Sequence, residues 1–169
     1  MTKTPIETER KFLIKYPDTK LLAAYEGVRI KNMEQTYLVA EDNKSARVRR
    51  IVENGSVSYV KTVKERISAL SAYEAEVDIS EEQYEQELTR ADTGKRTIKK
   101  TRFCIPYADH VVEIDVYPFW SDRAIMEIEL GDEEEKFEIP SFVEIIKEVS
   151  ADTRYKNSSL AKIIPIEDI

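Results

Sequence analysis

Charged residues of one sign recur at every second position of this sequence, in pairs such as Glu7 and Glu9 or Arg47 and Arg49. Carboxylate pairs of this kind can ligate hard divalent cations such as Mg²⁺ or Mn²⁺. Arg side chains bind phosphate oxygens through two parallel hydrogen bonds, and Lys supplies a point charge. The complete set is Glu7-Thr8-Glu9 with Lys11, Arg47-Val48-Arg49, Lys61, Glu74-Ala75-Glu76, Lys100-Thr101-Arg102, Glu113-Ile114-Asp115 and Glu127-Ile128-Glu129.

The elements that carry these pairs are predicted to be β-strands, because residues on one face of a strand recur with a period of two. Asn54-Gly55 lies between two such stretches and predicts a tight hairpin. Most connections are short, so neighbouring strands are expected to pair antiparallel. The eight predicted strands are Ile6–Ile14, Val28–Ala40, Ser45–Val52, Ser56–Lys64, Ala72–Ile79, Arg96–Ile105, Val111–Tyr117 and Ala124–Leu130.

Helices are predicted to be few. Pro17–Tyr25 is typical of a short helix, and Ser80 is a candidate N-cap for a helix that ends near Ala91. The tail from Pro140 to Ile164 is expected to be helical in pieces, with a break near residues 150–152. The acidic run Asp132–Glu135 is interpreted as a solvated helix start.

Two interpretations of the charged strand faces compete. In an open sheet they would be ordinary solvated surfaces. However, like charges on one strand face repel each other, and such pairs are costly without an opposite charge between them. We therefore predict a mainly β (α+β) protein, a closed eight-stranded antiparallel barrel with a few flanking helices, in which every pair named above faces the lumen together with Lys11 and Lys61. A linear polyphosphate with a divalent metal would satisfy both sets of charges.

Composition narrows the function classes. The chain has 169 residues with a net charge of −7, which argues against unspecific nucleic-acid binding. It contains a single cysteine, Cys104, and a single histidine, His110, so an intramolecular disulfide and a Cys/His zinc site are excluded. Cys104 is interpreted as a core residue and His110 as a turn residue.

Length and hydropathy favour one cytoplasmic domain over residues 1–169. No stretch approaches the length of a membrane span, and the N-terminus lacks an apolar signal region. The expected partner is a small molecule, with no nucleic acid and no membrane, while a homodimer is left open.

The ordered pairs resemble the triphosphate tunnel metalloenzymes of the CYTH superfamily, whose signature E-x-E-x-K matches Glu7-Thr8-Glu9-Arg10-Lys11. The later pairs follow in the family's order. Arg154-Tyr155-Lys156-Asn157 is similar to the R-Y-K-N stretch of small bacterial inorganic triphosphatases. The resemblance implies an eight-stranded tunnel that binds triphosphates with Mg²⁺ or Mn²⁺.

The resemblance also implies roles for individual residues. Glu7, Glu9, Glu127 and Glu129 would ligate metal. Asp115 and Glu113 would lie near a second metal or the attacking water, and with Lys11 they form the expected catalytic set. Glu74, Glu76 and Tyr37 would have supporting roles. The phosphate-binding set would be Lys11, Arg47, Arg49, Lys61, Lys100, Arg102 and Lys156.

The expected reaction is metal-dependent hydrolysis of inorganic tripolyphosphate to pyrophosphate and phosphate, which needs positioning and charge neutralisation more than covalent chemistry. Three alternatives stay open. They are a class IV adenylate cyclase, a thiamine or nucleoside triphosphatase, and a polyphosphate-binding module without catalysis. Trp120 could stack on a thiamine ring, but Pro118-Phe119-Trp120 is more typical of a loop that packs on the barrel wall.

Overall fold

The computed structural model describes residues 6–169. All eight predicted strands are present in it, and each strand end lies within two residues of the predicted end. Residues 1–5, which the single-domain prediction and the N-terminal signal prediction include, lie outside the described residues. The strands are β1 (Ile6–Lys15), β2 (Arg29–Leu38), β3 (Lys44–Glu53), β4 (Ser56–Arg66), β5 (Ser71–Ile79), β6 (Ile98–Tyr107), β7 (His110–Val116) and β8 (Arg123–Leu130), and a ninth, β9 (Ile145–Glu148), follows.

The eight strands close into an antiparallel barrel, as predicted. The order β5-β4-β3-β2-β6-β7-β8-β1 is completed by pairing of β1 with β5. This closing contact is short, because it joins only Ile6–Thr8 to Ser71–Tyr73. Further along the same edge, β1 pairs instead with β9. The barrel is therefore closed at one end of β1 and extended by β9 at the other.

The hairpin between β3 and β4 fixes which side chains of β4 face inward. Asn54 and Gly55 adopt the positive φ angles of 50° and 78° that this turn requires. The two-residue turn pairs Glu53 with Ser56, and the register runs unbroken along both strands. Because directly paired residues share a sheet face, this register decides the direction of every charge on β4.

The main hydrophobic core lies outside the barrel wall rather than inside it. Phe12 and Ile14 on β1 point away from the lumen and pack with outward residues of β6, β7 and β8. Helix α1 (Thr19–Ala23) contributes the buried Leu22, and the stretch from Phe137 to Ile145 packs on the same face. The apolar half of each alternating strand is thus covered, which leaves the polar half for the interior.

Helix α2 (Glu81–Leu88) covers a second part of the outer wall. Ser80 caps it as predicted, in a capping box with Gln83, so the first turn has its backbone N–H groups satisfied. Its buried Tyr84 packs on Leu38 of β2 and Val48 of β3. The helix ends at Leu88, three residues before the predicted end.

Two predictions for the later part of the chain are wrong. The tail contains strand β9 where helix was expected, followed by a 3₁₀ turn (Thr153–Tyr155) and the short helix α3 (Asn157–Leu160). Ile145 and Ile146 favour the extended edge of β1 because β-branched side chains suit a sheet. Asp132–Glu135 forms turns, in which Glu135 bonds to the Gly131 N–H and to His110.

One end of the lumen is apolar. Leu13, Tyr37 and Ile98 point inward beyond the charged residues of their strands. They pack with Tyr117 and Ile125. The C-terminal segment covers this end, since Tyr155, Leu160 and Ala161 belong to the same cluster. Trp120 packs on Tyr117 and Tyr155, as predicted for a loop on the barrel wall. None of the helices between residues 6 and 169 has the length and apolar composition needed to cross a membrane.

Candidate active site

The rest of the barrel interior is a charged cavity of about 950 Å³. Nine basic and eight acidic side chains line it, although the whole chain has a net charge of −7. The two signs are separated around the wall. Acidic residues dominate the arc β5-β1-β8-β7, which we call the acidic half, and basic residues dominate β6-β2-β3-β4, the basic half.

The acidic half places carboxylates directly opposite one another. Glu9 on β1 pairs with Glu129 on β8, and Glu113 on β7 pairs with Glu127 on β8. Burial and the neighbouring Glu127 raise the pKa of Glu9 to about 7. Burial likewise raises the pKa of Glu7, Glu113 and Glu129, with repulsion from other glutamates adding to it. This half therefore carries more negative charge than its protein neighbours neutralise.

Two predicted metal ligands already have cationic partners. Glu127 lies 3.4 Å from Nζ of Lys11 and 3.7 Å from Nη2 of Arg102. Although burial opposes it, these two cations lower the pKa of Glu127 to about 2. Glu7 lies 2.9 Å from Nζ of Lys64. Among residues 6–169 no group of three His, Cys, Asp or Glu side chains is arranged as a ready-made metal site.

Asp115 joins the two halves in a buried ion cluster. Its two oxygens accept hydrogen bonds from Nε and Nη2 of Arg102, at 2.8 and 2.9 Å, and Nζ of Lys100 lies 2.8 Å away. Burial alone would raise the pKa of Asp115, but these two cations hold it well below its usual range. Arg102 also donates to Glu113 through Nη1 at 2.8 Å.

This geometry does not favour the role predicted for Asp115. Its side chain is 1% exposed, does not line the cavity and is held by Arg102 and Lys100, which does not favour contact with an attacking water there. A strongly depressed pKa also makes it a poor general base. Lys100 is equally buried, and burial and two nearby guanidinium groups lower its pKa to about 7 despite Asp115.

The basic half holds cations that lack acidic partners. Arg47 and Arg49 follow the inward face of β3, and Gln35 of β2 accepts a 3.0 Å hydrogen bond from Nε of Arg49. Burial and repulsion from Arg47 and Arg102 lower the pKa of Arg49 to about 10. Nε of Arg47 is buried and makes no hydrogen bond. Within residues 6–169, the lining cations without a carboxylate oxygen in 4.0 Å are Lys31, Arg47, Arg49, Arg66 and Lys156.

The prediction that Lys61 faces the lumen is wrong. Lys61 pairs with Val48, whose side chain packs outside the barrel, and its Nζ lies 3.1 Å from Glu87 of α2. The inward lysine of β4 is Lys64, which pairs with Ser45 in the register that begins at the Asn54-Gly55 turn. The hairpin signal in the sequence was sufficient to find it.

The remaining predicted residues lie where the barrel hypothesis puts them. Glu74 and Glu76 line the cavity, and Glu76 accepts a 3.1 Å hydrogen bond from Thr62. Tyr37 lies between the charged cavity and the apolar end, and Lys156 reaches the cavity from the C-terminal segment.

Sequence reasoning missed three basic lining residues besides Lys64. Lys31 could have been found by counting back in steps of two from Tyr37, whereas Lys44 and Arg66 lie at strand ends, where periodicity gives no signal. Cys104 is buried, as predicted for a core residue, and pairs with Glu113 on the inward face of β6.

Comparison with known proteins identifies the same architecture. A family model described as the CYTH domain matches residues 5–162. The crystal structure of the inorganic triphosphatase NE1496 superposes with a TM-score of 0.58 at 29% sequence identity, covering 98% of each chain. A second structure of NE1496 gives 0.58 at 30% identity, with 94% of this chain and 99% of that chain covered.

More distant structures share the fold alone. The PH1012 protein of Pyrococcus horikoshii OT3 gives a TM-score of 0.56 at 22% identity, covering 75% of this chain and 80% of that one. A putative adenylate cyclase from Bacillus halodurans gives 0.52 at 15% identity, with 76% and 83% covered. No curated protein matches the sequence closely.

Proposed function

Because this chain belongs to the CYTH domain family, we propose that it is a metal-dependent triphosphatase whose substrate is inorganic tripolyphosphate and whose products are pyrophosphate and phosphate. The similarity to the inorganic triphosphatase NE1496 over nearly the full length of both chains supports this reaction. The proposed partner is thus a small molecule rather than a nucleic acid or another macromolecule.

The observation that carries the proposal is the pair of unbalanced charge sets in one cavity. Arg47, Arg49 and Lys156 have no acidic partner within 4.0 Å in the described chain, so an anion can bind them without first breaking an ion pair. Opposite them, burial and the neighbouring Glu127 raise the pKa of Glu9, and no cation lies within 4.0 Å of it in the described chain. A polyanion bound with a cation would neutralise both sets, whereas either alone would neutralise only one.

The lining also supports an inorganic substrate over a nucleotide. Tyr37 is the one aromatic residue among the described residues that line the cavity, and it lies at the inner, apolar end. Recognition of a nucleobase or a thiamine ring commonly uses stacking on aromatic side chains. Trp120 cannot provide it, since it is 8% exposed and packs against Tyr117 and Phe119.

The acidic half fits a divalent metal in its chemistry, because its side chains offer carboxylate oxygens, which Mg²⁺ and Mn²⁺ prefer. Glu9 and Glu129 would hold the cation, since they lie opposite each other, burial raises the pKa of both, and neither has a cation within 4.0 Å in the described chain. Glu127 is neutralised by Lys11 and Arg102 and would contribute less. When bound, the metal would supply positive charge that polarises a phosphoryl oxygen.

The chain's own residues would position the substrate and move the proton. Arg47 and Arg49 bind the phosphate chain, and their fixed positive charges stabilise the negative charge that develops on its oxygens. Glu113 lines the cavity, and its pKa is raised, so it is the carboxylate suited to accept a proton from the attacking water. The water oxygen forms a bond to the terminal phosphorus, the bridging P–O bond breaks, and pyrophosphate leaves.

Phosphate release tests this proposal directly. Tripolyphosphate, ATP and thiamine triphosphate are incubated separately with the protein and Mg²⁺, Mn²⁺ or EDTA. We expect release to be fastest from tripolyphosphate and to stop in EDTA. Glu9→Gln should weaken activation by metal, while Glu26→Gln, an exposed residue outside the cavity, should not. No release from tripolyphosphate, or cyclic AMP formed from ATP, would overturn the assignment.

A further inference from the structure

A second group of cations lies at the mouth of the cavity, away from Arg47 and Arg49. Arg66 ends β4, and its backbone N–H donates to the carbonyl of Asn43 in the β2–β3 connection. Lys156 enters from the C-terminal segment, with Ser158 beside it on the lining. Three separate parts of the chain therefore meet at this mouth.

The cations at the mouth are not neutralised by the protein. The guanidinium of Arg66 makes one long hydrogen bond, 3.5 Å from Nη1 to the carbonyl of Ser68, and no carboxylate lies within 4.0 Å of it in the described chain. Burial lowers the pKa of Lys156, and repulsion from Arg66 and Lys11 lowers it further. Like charges held close together without a partner favour an anion between them.

We infer that Arg66, beside Lys156, forms an additional phosphate subsite, so that the protein binds linear polyphosphates longer than three units more tightly than tripolyphosphate. This inference rests on the proposed function, because it assumes that the phosphate chain occupies the cavity. A fourth phosphate is covalently joined to the third and extends the line of negative charge from Arg47 and Arg49 toward the mouth. An adenosine group in that position would bring no charge to these cations.

The composition of the mouth supports a phosphate rather than an organic group. The cavity lining includes Asp42, Asn43, Lys44, Ser45, Asn157 and Ser158 besides Arg66 and Lys156, and Ala72 and Glu7 follow Arg66 across the sheet. These side chains offer positive charge and hydrogen bonds but no aromatic surface. Asp42 and Glu7 are the acids among them, and Glu7 already lies 2.9 Å from Nζ of Lys64.

The experiment measures binding without turnover. Isothermal titration calorimetry in EDTA compares tripolyphosphate with tetrapolyphosphate for the wild type, Arg66→Ala, Arg66→Lys and Arg90→Ala. Arg90 is a matched control, an exposed arginine outside the cavity. The larger charge of tetrapolyphosphate strengthens its binding to every variant, so the ratio of the two Kd values within each variant is the informative quantity.

We expect the wild type to bind tetrapolyphosphate more tightly, and Arg66→Ala to reduce the ratio about fivefold, the upper range for a charge pair at an exposed site. Arg66→Lys should retain part of the preference, and Arg90→Ala all of it. Equal Kd values in the wild type, or an unchanged ratio in Arg66→Ala, would overturn the subsite. Neither result would affect the proposed function, which fails instead if no metal condition releases phosphate from tripolyphosphate.

Discussion

The acidic and basic halves of the barrel wall are built from the same alternating strands, yet they are unbalanced in different ways. In the acidic half, carboxylates lie opposite carboxylates, as Glu9 lies opposite Glu129, and burial with mutual repulsion raises their pKa values. In the basic half, Arg47 and Arg49 lack acidic partners, and Gln35 satisfies one of their donors. Proteins normally pair buried charges, so two unpaired sets facing each other indicate a ligand that carries both signs.

At the boundary between the two halves, in contrast, charges of opposite sign are paired. Asp115 accepts two hydrogen bonds from the buried Arg102 and lies 2.8 Å from Nζ of Lys100. They show what the same residue types do when they serve the fold. Within one wall, the difference between paired and unpaired charges therefore separates structural residues from those available to bind a ligand.

Asp115→Asn should produce the largest effect, because it leaves Lys100 and Arg102 buried without their shared carboxylate. We expect the free energy of unfolding to fall by about 3–5 kcal/mol, the cost of removing one partner from a buried ion pair. Urea unfolding followed by circular dichroism measures it. Glu144→Gln is the control, since its exposed pair with Lys15 should contribute less than about 1 kcal/mol. Equal unfolding midpoints for the two variants would contradict the boundary's structural role.

Arg49→Ala should lower kcat/KM for tripolyphosphate by about 100-fold, the effect of removing one fixed charge that stabilises a transition state. Arg50 follows it on the same strand but belongs to the outer face, where it pairs with Glu34 of β2 and Tyr59 of β4. Arg50→Ala should therefore change kcat/KM less than about threefold. Steady-state phosphate release gives both values. A similar loss in both variants would remove the distinction between the faces.

Lys64→Ala and Lys61→Ala separate the two faces of β4. Lys64 contacts Glu7 in the cavity, so its loss should reduce kcat/KM about tenfold through the weakened charge balance around the substrate. Lys61 contacts Glu87 of α2, and its loss should leave turnover near that of the wild type. The same kinetic assay applies. A larger loss of turnover in Lys61→Ala would mean that the β3–β4 register is shifted by one residue.

Protons and metal ions should compete for the carboxylates of the acidic half. The resulting change in Tm is the smallest of the expected effects. The folded-state pKa of Glu9, about 7, is above its ordinary value of 4.5, so without metal its contribution to stability falls as pH rises from 4.5 to 7. Added Mg²⁺ should raise Tm by a few degrees at pH 8 and by less at pH 5.5, measured by scanning calorimetry. Glu9→Gln should reduce this difference. Equal Tm shifts at both pH values would argue against metal binding there.

The sequence was sufficient to predict the barrel because period-two alternation covers every strand, and the Asn54-Gly55 turn marks a hairpin directly. Its failures have a physical cause. Lys61 was placed in the lumen by its residue type, although the register from that turn directs it outward. Strand β9 was missed because Ile145–Glu148 is too short to show a period and forms only against the edge of β1.

The sequence could not show which charged side chains form ion pairs and which do not. Asp115 and Glu113 occupy equivalent positions of one alternating pair, yet the first is buried in an ion cluster and the second lines the cavity. That difference depends on which side chains β6 presents across the sheet. It also depends on the C-terminal segment, which fills the end of the barrel beyond Asp115. Contacts between distant segments of this kind leave no local pattern.

A crystal structure with Mn²⁺ and the non-hydrolysable analogue imidotriphosphate tests the central claim most directly, because anomalous scattering locates the metal independently of the phosphates. The account predicts a manganese peak at the carboxylates of Glu9 and Glu129, and phosphate oxygens in contact with Arg47 and Arg49. Manganese and phosphate bound only on the outer wall, with the cavity charges paired among themselves, would contradict it.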